Sequence, residues 1–116
     1  MKDNKRDLIR LQHILDAINE IESFLNNKNE DEFQINSMLQ SACIRQLEII
    51  GEAASRLSDT TKKNIEDIEW RELIGLRNIL VHEYFGVDLS IIWQIIDIDL
   101  PELKDKIKLI IQDFQK

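Results

Sequence analysis

Helix-breaking residues and cysteine are scarce in this chain. Its 116 residues include one proline, three glycines and one cysteine. Cys43 has no second cysteine to pair with, which excludes an internal disulfide and fits a reducing compartment. No apolar run approaches the roughly 20 residues that span a bilayer, and the N-terminal segment lacks the apolar stretch of a signal peptide. We therefore predict a soluble, cytoplasmic protein without a membrane partner.

Aromatic residues and positive charge are also in short supply. Aromatics make up 6% of the chain, and the formal net charge at pH 7 is −7. An acidic surface repels polyanions, so the composition argues against a protein that coats nucleic acid, and no DNA partner is expected. Any site for a phosphate group must be a local cluster of cations.

The abundant residues are leucine, isoleucine, glutamate and lysine, which are typical of helices. Composition and length predict an all-α single domain over residues 1–116, built as an antiparallel bundle of four to five helices. Apolar residues at helical spacing predict three helices and a fourth that is kinked or restarted near Pro101, with a short helical turn after the second. The four predicted helices cover residues 4–25, 33–57, 70–84 and 89 onward.

The apolar stripe of the second predicted helix begins with Ile35 and Met38, which are expected to face the core. Gly86 is expected to stop the third helix in the left-handed conformation, which glycine adopts at low cost. Asp88 or Ser90 can cap the helix that follows.

The third predicted helix places an arginine where a core residue is expected. With about 100° between successive residues, Arg77 falls on the apolar stripe that also holds Val81. A guanidinium there needs an anion or several acceptors, because it cannot lose its proton. The second helix offers candidate partners, because Arg45, Glu48 and Glu52 fall on one polar line beside its apolar stripe.

A second stripe of the third helix holds Arg71, Gly75, Asn78 and His82. Glycine inside a helix costs about 1 kcal/mol against alanine but lets another backbone or a ligand approach closely. His82 lies about 140° around an ideal helix from Arg77, so the two side chains diverge on a rigid rod. They converge if Arg77 reaches around, if the helix loosens near Tyr84, or if two subunits share one site.

Each of these residues also has an ordinary structural interpretation. His82 fits a surface or capping residue, and Tyr84 fits an aromatic at the edge of the core. His13 falls with Asp16 and Glu20 on the outer face of the first helix, which is a weak pattern for a metal site. The chain has no glycine-rich phosphate loop, and neither a metal nor a cofactor is predicted.

The segment "RNILVHEY" joins Arg77, His82 and Tyr84 in one motif. It resembles the signature of the HEPN superfamily, and specifically of the HepT-like toxins that are paired with MNT nucleotidyltransferase antitoxins. Further upstream, "RQLEIIGEAASRLSD" resembles the family's second helix. The stretch "WRELIGLRNILVHEYFGVDLSIIW" resembles its third helix and following turn, and "DLPELKDKI" resembles its last helix. The resemblance covers most of the chain.

The resemblance implies a homodimeric, metal-independent endoribonuclease whose two signature helices meet at a shared cleft. His82 would move protons, since imidazole titrates near neutral pH. Arg77 would bind the scissile phosphate and stabilise its added charge, and Asn78 is expected to orient His82 in a supporting role. The cleft must gather the few cations available, and Arg71, Arg45 and Arg56 are candidates. Gly75 would permit close packing of the third helices near the two-fold axis.

The resemblance also implies a regulatory partner. An MNT-type nucleotidyltransferase antitoxin would transfer AMP to Tyr84, placing bulk and a phosphate charge beside Arg77 and so silencing the toxin. An alternative from another class is a non-catalytic subunit that positions a substrate for a nucleotidyltransferase. The net charge of −7 favours that alternative, because a ribonuclease gains from a basic surface.

Overall fold

The computed structural model describes residues 2–82 and 86–116, with side chains from residue 4 onward. Within these ranges the chain forms helices and connecting turns and no strand, which confirms the predicted all-α bundle. None of the described helices is long and apolar enough to cross a membrane. The helices follow in the order α1 (Lys2–Phe24), α2 (Glu30–Ile35), α3 (Ser37–Ser55), α4 (Asp59–Asn64), α5 (Trp70–His82), α6 (Leu89–Gln94), a π-helical segment (Ile95–Asp99) and α7 (Leu100–Phe114).

Helix α3 organises the bundle, because α1 and α5 both pack against it, while α7 packs against α1. The apolar residues of these helices recur at helical spacing, so each helix presents one buried stripe to its neighbours. Removing these side chains from water is the main force that holds the helices together. The largest fully buried apolar side chains of the bundle are Leu11, Ile14, Ile18, Ile21, Phe33, Cys43, Leu47, Ile50, Leu80 and Ile107.

The single long helix predicted for residues 33–57 is wrong, because the chain breaks at Asn36. Asn36 has extended φ and ψ angles of −115° and 97°, and its side chain accepts a hydrogen bond from the Leu39 amide. Asparagine competes with helical backbone in this way, and it therefore favours a cap over a helix interior. The break turns Ile35 and Met38 outward, so these predicted core residues are 86% and 78% exposed.

The irregularity expected near Pro101 takes the form of the π-helical segment just before it. Wider hydrogen bonding over Ile95–Asp99 ends at Leu100, whose amide donates to the Ile95 carbonyl. Pro101 then lies in the first turn of α7, so its missing N–H falls at the junction with the wider turns.

The described part of α5 ends at His82, and Tyr84 lies outside the described residues. Gly86 does not take the left-handed conformation predicted for it, since its φ is not positive. Asp88 caps α6, as one of the two sequence alternatives proposed, because its side chain accepts a hydrogen bond from the Ser90 amide.

A buried carboxylate ties the first helix to the start of α4. Asp7 is 2% exposed, and its oxygens accept from the Ser58 amide at 3.0 Å and the Ser58 hydroxyl at 2.6 Å. The Thr61 hydroxyl donates to the same carboxylate. Ser58 also caps α4 by accepting from the Thr61 amide. Because a buried polar group is costly unless it is hydrogen-bonded, this cluster fixes where α4 begins.

We expect Asp7→Ala to lower the free energy of unfolding by about 2–4 kcal/mol, because three donors lose a charged acceptor. The measurement is urea unfolding followed by circular dichroism. Asp16→Ala is the matched control, since Asp16 is an exposed acid on the same helix and its loss should cost less than about 0.5 kcal/mol. Equal midpoints for the two variants would contradict the structural role of Asp7.

Candidate active site

Helix α5 lies unusually close to α3 because residue 51 has no side chain. A Cβ atom built on Gly51 would lie 2.8 Å from the Leu73 carbonyl oxygen and would overlap the Cβ of Arg77. The base of the Arg77 side chain therefore rests directly on the backbone of α3. Gly75, the glycine that the sequence analysis singled out for close packing, has nothing within 4 Å of a Cβ built on it.

The Arg77 guanidinium is held by an acid from α3. Its Nη2 lies 2.9 Å from Glu52 Oε2, and its Nη1 donates to Asn78 Oδ1 at 3.0 Å. Glu52 belongs to the polar line that the sequence predicted as a source of partners. The Arg77 side chain remains 34% exposed, so solvent or a ligand can reach it. These two partners use two of the five N–H donors of the guanidinium, and its other N–H groups can bind an anion.

Glu52 uses its second oxygen to hold another arginine. Arg56 donates from Nε to Glu52 Oε1 at 2.9 Å, and its Nη2 lies 2.8 Å from the same oxygen. The hydrogen bond from Arg56, together with the charges of Arg56 and Arg77, lowers the pKa of Glu52 against a smaller opposing effect of desolvation. Glu52 is thus anionic at neutral pH, and it spaces two guanidinium groups along one face of the bundle.

Arg77 faces a cleft of about 360 Å³ between α1, α3 and α5. We call it the arginine cleft, because four of the chain's six arginines line it and no lysine does among the side chains that the structure describes. With two glutamates, these four arginines give the described part of the lining a formal charge of +2, counting histidine as neutral, in a chain of net charge −7. Its lining residues are Arg10, His13, Arg45, Glu48, Ile49, Glu52, Ala53, Arg56, Arg77 and Val81.

The predicted cations are only partly gathered here. Arg45 and Arg56 join Arg77 as expected, but Arg71 does not, since it lines a separate surface depression with Lys62 and Lys63. The reason is helical phase: Arg71 lies on a different face of α5 from Arg77. Arg71 therefore lies outside the arginine cleft of the single chain.

His82 and Arg77 do not meet within the described part of this chain. His82 is exposed at the end of the described α5 and is not among the residues that line the arginine cleft. Val81, predicted to face the core, is 44% exposed and lies at the cleft edge. Asn78 is exposed and contacts Arg77 through its amide oxygen. Because Arg77 reaches toward α3, a site formed within one chain by Arg77 reaching around to His82 is not the conformation observed.

The sequence did not predict that Arg10 and His13 line the cleft. Arg10 and His13 lie one turn apart on α1, and a shared helix face was the available sequence signal. This face of α1 lies opposite α3 because of the way α1 packs in the bundle, and residue spacing along the sequence does not reveal that packing. Gly51 was missed for the same reason, since its use depends on the position of α5.

Other reactive groups do not compete with this cleft. Burial raises the pKa of the Cys43 thiol to about 11, so the reactive thiolate form is disfavoured. The described side chains contain no cluster of three or more histidine, cysteine or acidic residues that could hold a metal ion.

Comparison with known proteins gives one family and several relatives. The family described as "Ribonuclease HepT-like" matches residues 14–110. "Probable ribonuclease HepT" of Thermococcus cleftensis is 39% identical over 106 residues, covering 91% of this chain and 94% of that protein. "Putative RNase MJ1380" of Methanocaldococcus jannaschii is 37% identical over 108 residues, covering 92% of this chain and 99% of that protein.

A longer relative comes from the same archaeon. "Gamma-glutamylcyclotransferase and putative RNase MJ0434" is 41% identical over 108 residues, which is 93% of this chain. The chain spans about half of that protein, 49% of its length. No solved structure gives a significant match to the chain.

We expect Gly51→Ala to destabilise the protein by about 1–3 kcal/mol, because the new methyl group would overlap the α5 backbone. Gly86→Ala is the matched control, since a Cβ built there meets nothing within 4 Å in the described chain, and its stability should change by less than about 1 kcal/mol. Chemical unfolding of both variants measures the difference. A Gly51→Ala variant as stable as Gly86→Ala would refute the close contact between Arg77 and the α3 backbone.

Proposed function

Because the chain belongs to the ribonuclease HepT-like family, we propose that it is a metal-independent endoribonuclease that cuts RNA with Arg77 and His82. The observation that supports this most directly is the Arg77 guanidinium, anchored by Glu52 yet 34% exposed at an arginine-lined cleft. An arginine used only for internal pairing would gain nothing from such a cationic surrounding. An arginine that binds a phosphodiester would.

The proposed reaction needs three things from the protein. The 2′-hydroxyl must lose its proton so that its oxygen attacks phosphorus, and the 5′-oxygen must gain a proton as its bond to phosphorus breaks. His82 serves in this proton transfer, because imidazole can be both base and acid near neutral pH. Arg77 stabilises the extra negative charge of the five-coordinate phosphorus through its fork of donors. The product is a 2′,3′-cyclic phosphate and a free 5′-hydroxyl.

We propose that the working site is shared between two copies of the chain. Within one copy, Arg77 is directed toward α3 while His82 lies outside the arginine cleft. The face of α5 turned away from the arginine cleft carries Ile79, an apolar residue that is 49% exposed. Gly75 on the same helix leaves room for another backbone to approach. A homodimer that pairs the α5 helices would bury this surface and bring a second signature helix to the cleft.

The proposed biological role is that of a toxin in a cytoplasmic toxin–antitoxin pair. Its partner would be an MNT-type nucleotidyltransferase that adds AMP to Tyr84. A phosphodiester on Tyr84 would place an anion near Arg77, seven residues before it, and would compete with RNA for that guanidinium. Asn78, whose amide oxygen already accepts from Arg77, would act in support of the site.

The competing hypothesis is a non-catalytic subunit that positions substrate for the nucleotidyltransferase. Its main support was the net charge of −7, which is unusual for a protein that binds RNA. The arginine cleft weakens this support, because its lining is locally cationic. Growth arrest when the chain is expressed without its partner would distinguish a toxin from a binding subunit.

We expect Arg77→Ala and His82→Ala each to slow RNA cleavage by about 100-fold or more, since each removes a group that acts in the transition state. The assay follows a labelled single-stranded RNA in EDTA and identifies the product ends. Arg71→Ala, on the same helix but outside the cleft, is the control and should cut normally.

Each variant is also weighed by light scattering at micromolar concentration, where we expect the mass of two chains. Undiminished cutting by both Arg77→Ala and His82→Ala would remove the proposed site. A monomeric wild-type protein that cuts RNA would remove the shared one.

We expect co-expression with the nucleotidyltransferase partner to raise the intact mass by whole AMP units. Tyr84→Phe should abolish the increase, because phenylalanine lacks the accepting hydroxyl. The chain expressed alone is the control for unmodified mass. An AMP gain that persists in Tyr84→Phe would place the modification on another residue.

A further inference from the structure

We propose that the arginine cleft is a track for RNA phosphates on either side of the scissile one, with Arg10, Arg45 and Arg56 as phosphate-binding residues. This inference rests on the proposed function, because the ligand is the backbone of the RNA that Arg77 and His82 would cut. It goes further in assigning the binding of flanking nucleotides to α1 and α3, outside the signature helix.

The choice of cation in the cleft supports a phosphate ligand. Lysine outnumbers arginine in the chain by nine to six, yet among the described lysine and arginine side chains only arginines line the cleft. The planar guanidinium fork matches two phosphate oxygens at once and is more weakly hydrated than an ammonium group. A surface that served solubility alone would have no reason to exclude lysine.

The spacing of the arginines indicates more than one phosphate. Arg56 follows the last residue of α3 and lies eleven residues after Arg45, which is about 16 Å along the helix axis at 1.5 Å per residue. Such a separation suits different phosphates of one strand. Arg10 approaches from α1, and Arg77 lies on α5, so the cations border the cleft from three helices.

The two glutamates in the cleft form ion pairs with these arginines but leave the guanidinium groups accessible to a phosphate. Arg45 lies 3.2 Å from Glu48 and is 69% exposed, and Arg56 is 56% exposed beside Glu52. Exposed ion pairs of this kind contribute only about 0–1 kcal/mol, so a phosphate can replace them at small cost. Glu48 and Glu52 therefore orient the guanidinium groups before RNA arrives.

The test measures binding separately from cutting. The probe is a fluorescent single-stranded oligonucleotide with 2′-O-methyl groups throughout, which lacks the hydroxyl that attacks phosphorus. Fluorescence anisotropy gives its dissociation constant at a series of KCl concentrations. Each phosphate contact adds about 0.7 to the slope of log affinity against log salt for a single strand.

Arg10→Ala, Arg45→Ala and Arg56→Ala should each lower that slope by about 0.7 and weaken binding roughly fivefold at 0.1 M salt. Arg45→Lys should keep the slope, because the charge remains. Arg6→Ala and Arg71→Ala, exposed arginines outside the cleft, should change neither quantity. Circular dichroism verifies that each variant is folded, as the exposure of Arg45 and Arg56 predicts.

The outcomes separate this inference from the proposed function. Unchanged slopes in all three cleft variants, or no binding of the probe at low salt, overturn the phosphate track even if the protein cuts RNA. Reduced slopes in the cleft variants alone support the track. If the protein then fails to cut ordinary RNA, the nuclease proposal falls while the phosphate-binding cleft stands.

Discussion

The close contact between Gly51 on α3 and the base of Arg77 on α5 is the constraint on which the site depends. Because residue 51 has no side chain, α5 packs directly against the α3 backbone, and the Cβ of Arg77 lies at this contact between the two helices. Its guanidinium then meets Glu52, the residue next to that glycine, at 2.9 Å. One short segment of α3 thus supplies both the space for the arginine and the acid that orients it.

This arrangement shows how an acidic protein can offer a cationic site. The net charge of the chain is −7, but the described lining of the arginine cleft draws cations from three helices and includes two acids. Field strength near a surface depends on the nearest charges, because salt screens those beyond about 8–10 Å. The acidic remainder of the surface therefore contributes little to the field within the cleft.

The sequence was sufficient for the helical class and for the stripes of α1, α3 and α7, because long amphipathic periods determine which face is buried. It also pointed to Glu52 as a partner for Arg77, since both lay on predictable helix faces. It misjudged Ile35 and Met38, because the local hydrogen bond of Asn36 outweighs apolar periodicity. The roles of Arg10, His13 and Gly51 depend on which helices become neighbours, and that information is not local.

The π-helical segment determines which neighbouring helices α6 and α7 pack against. Wider turns accommodate an additional residue, so the side chains after Asp99 are rotated relative to those before Ile95. α6 can therefore lie against α2, where Trp93 and Phe33 place their ring centroids 5.5 Å apart, while α7 packs on α1. In a regular α-helix without the wider turns, the apolar residues of both segments would lie on one face of the helix. The extra residue lets one continuous helix direct apolar side chains toward α2 at one end and toward α1 at the other. Deleting one residue there would rotate α7 relative to α6, so the two contacts could not form together.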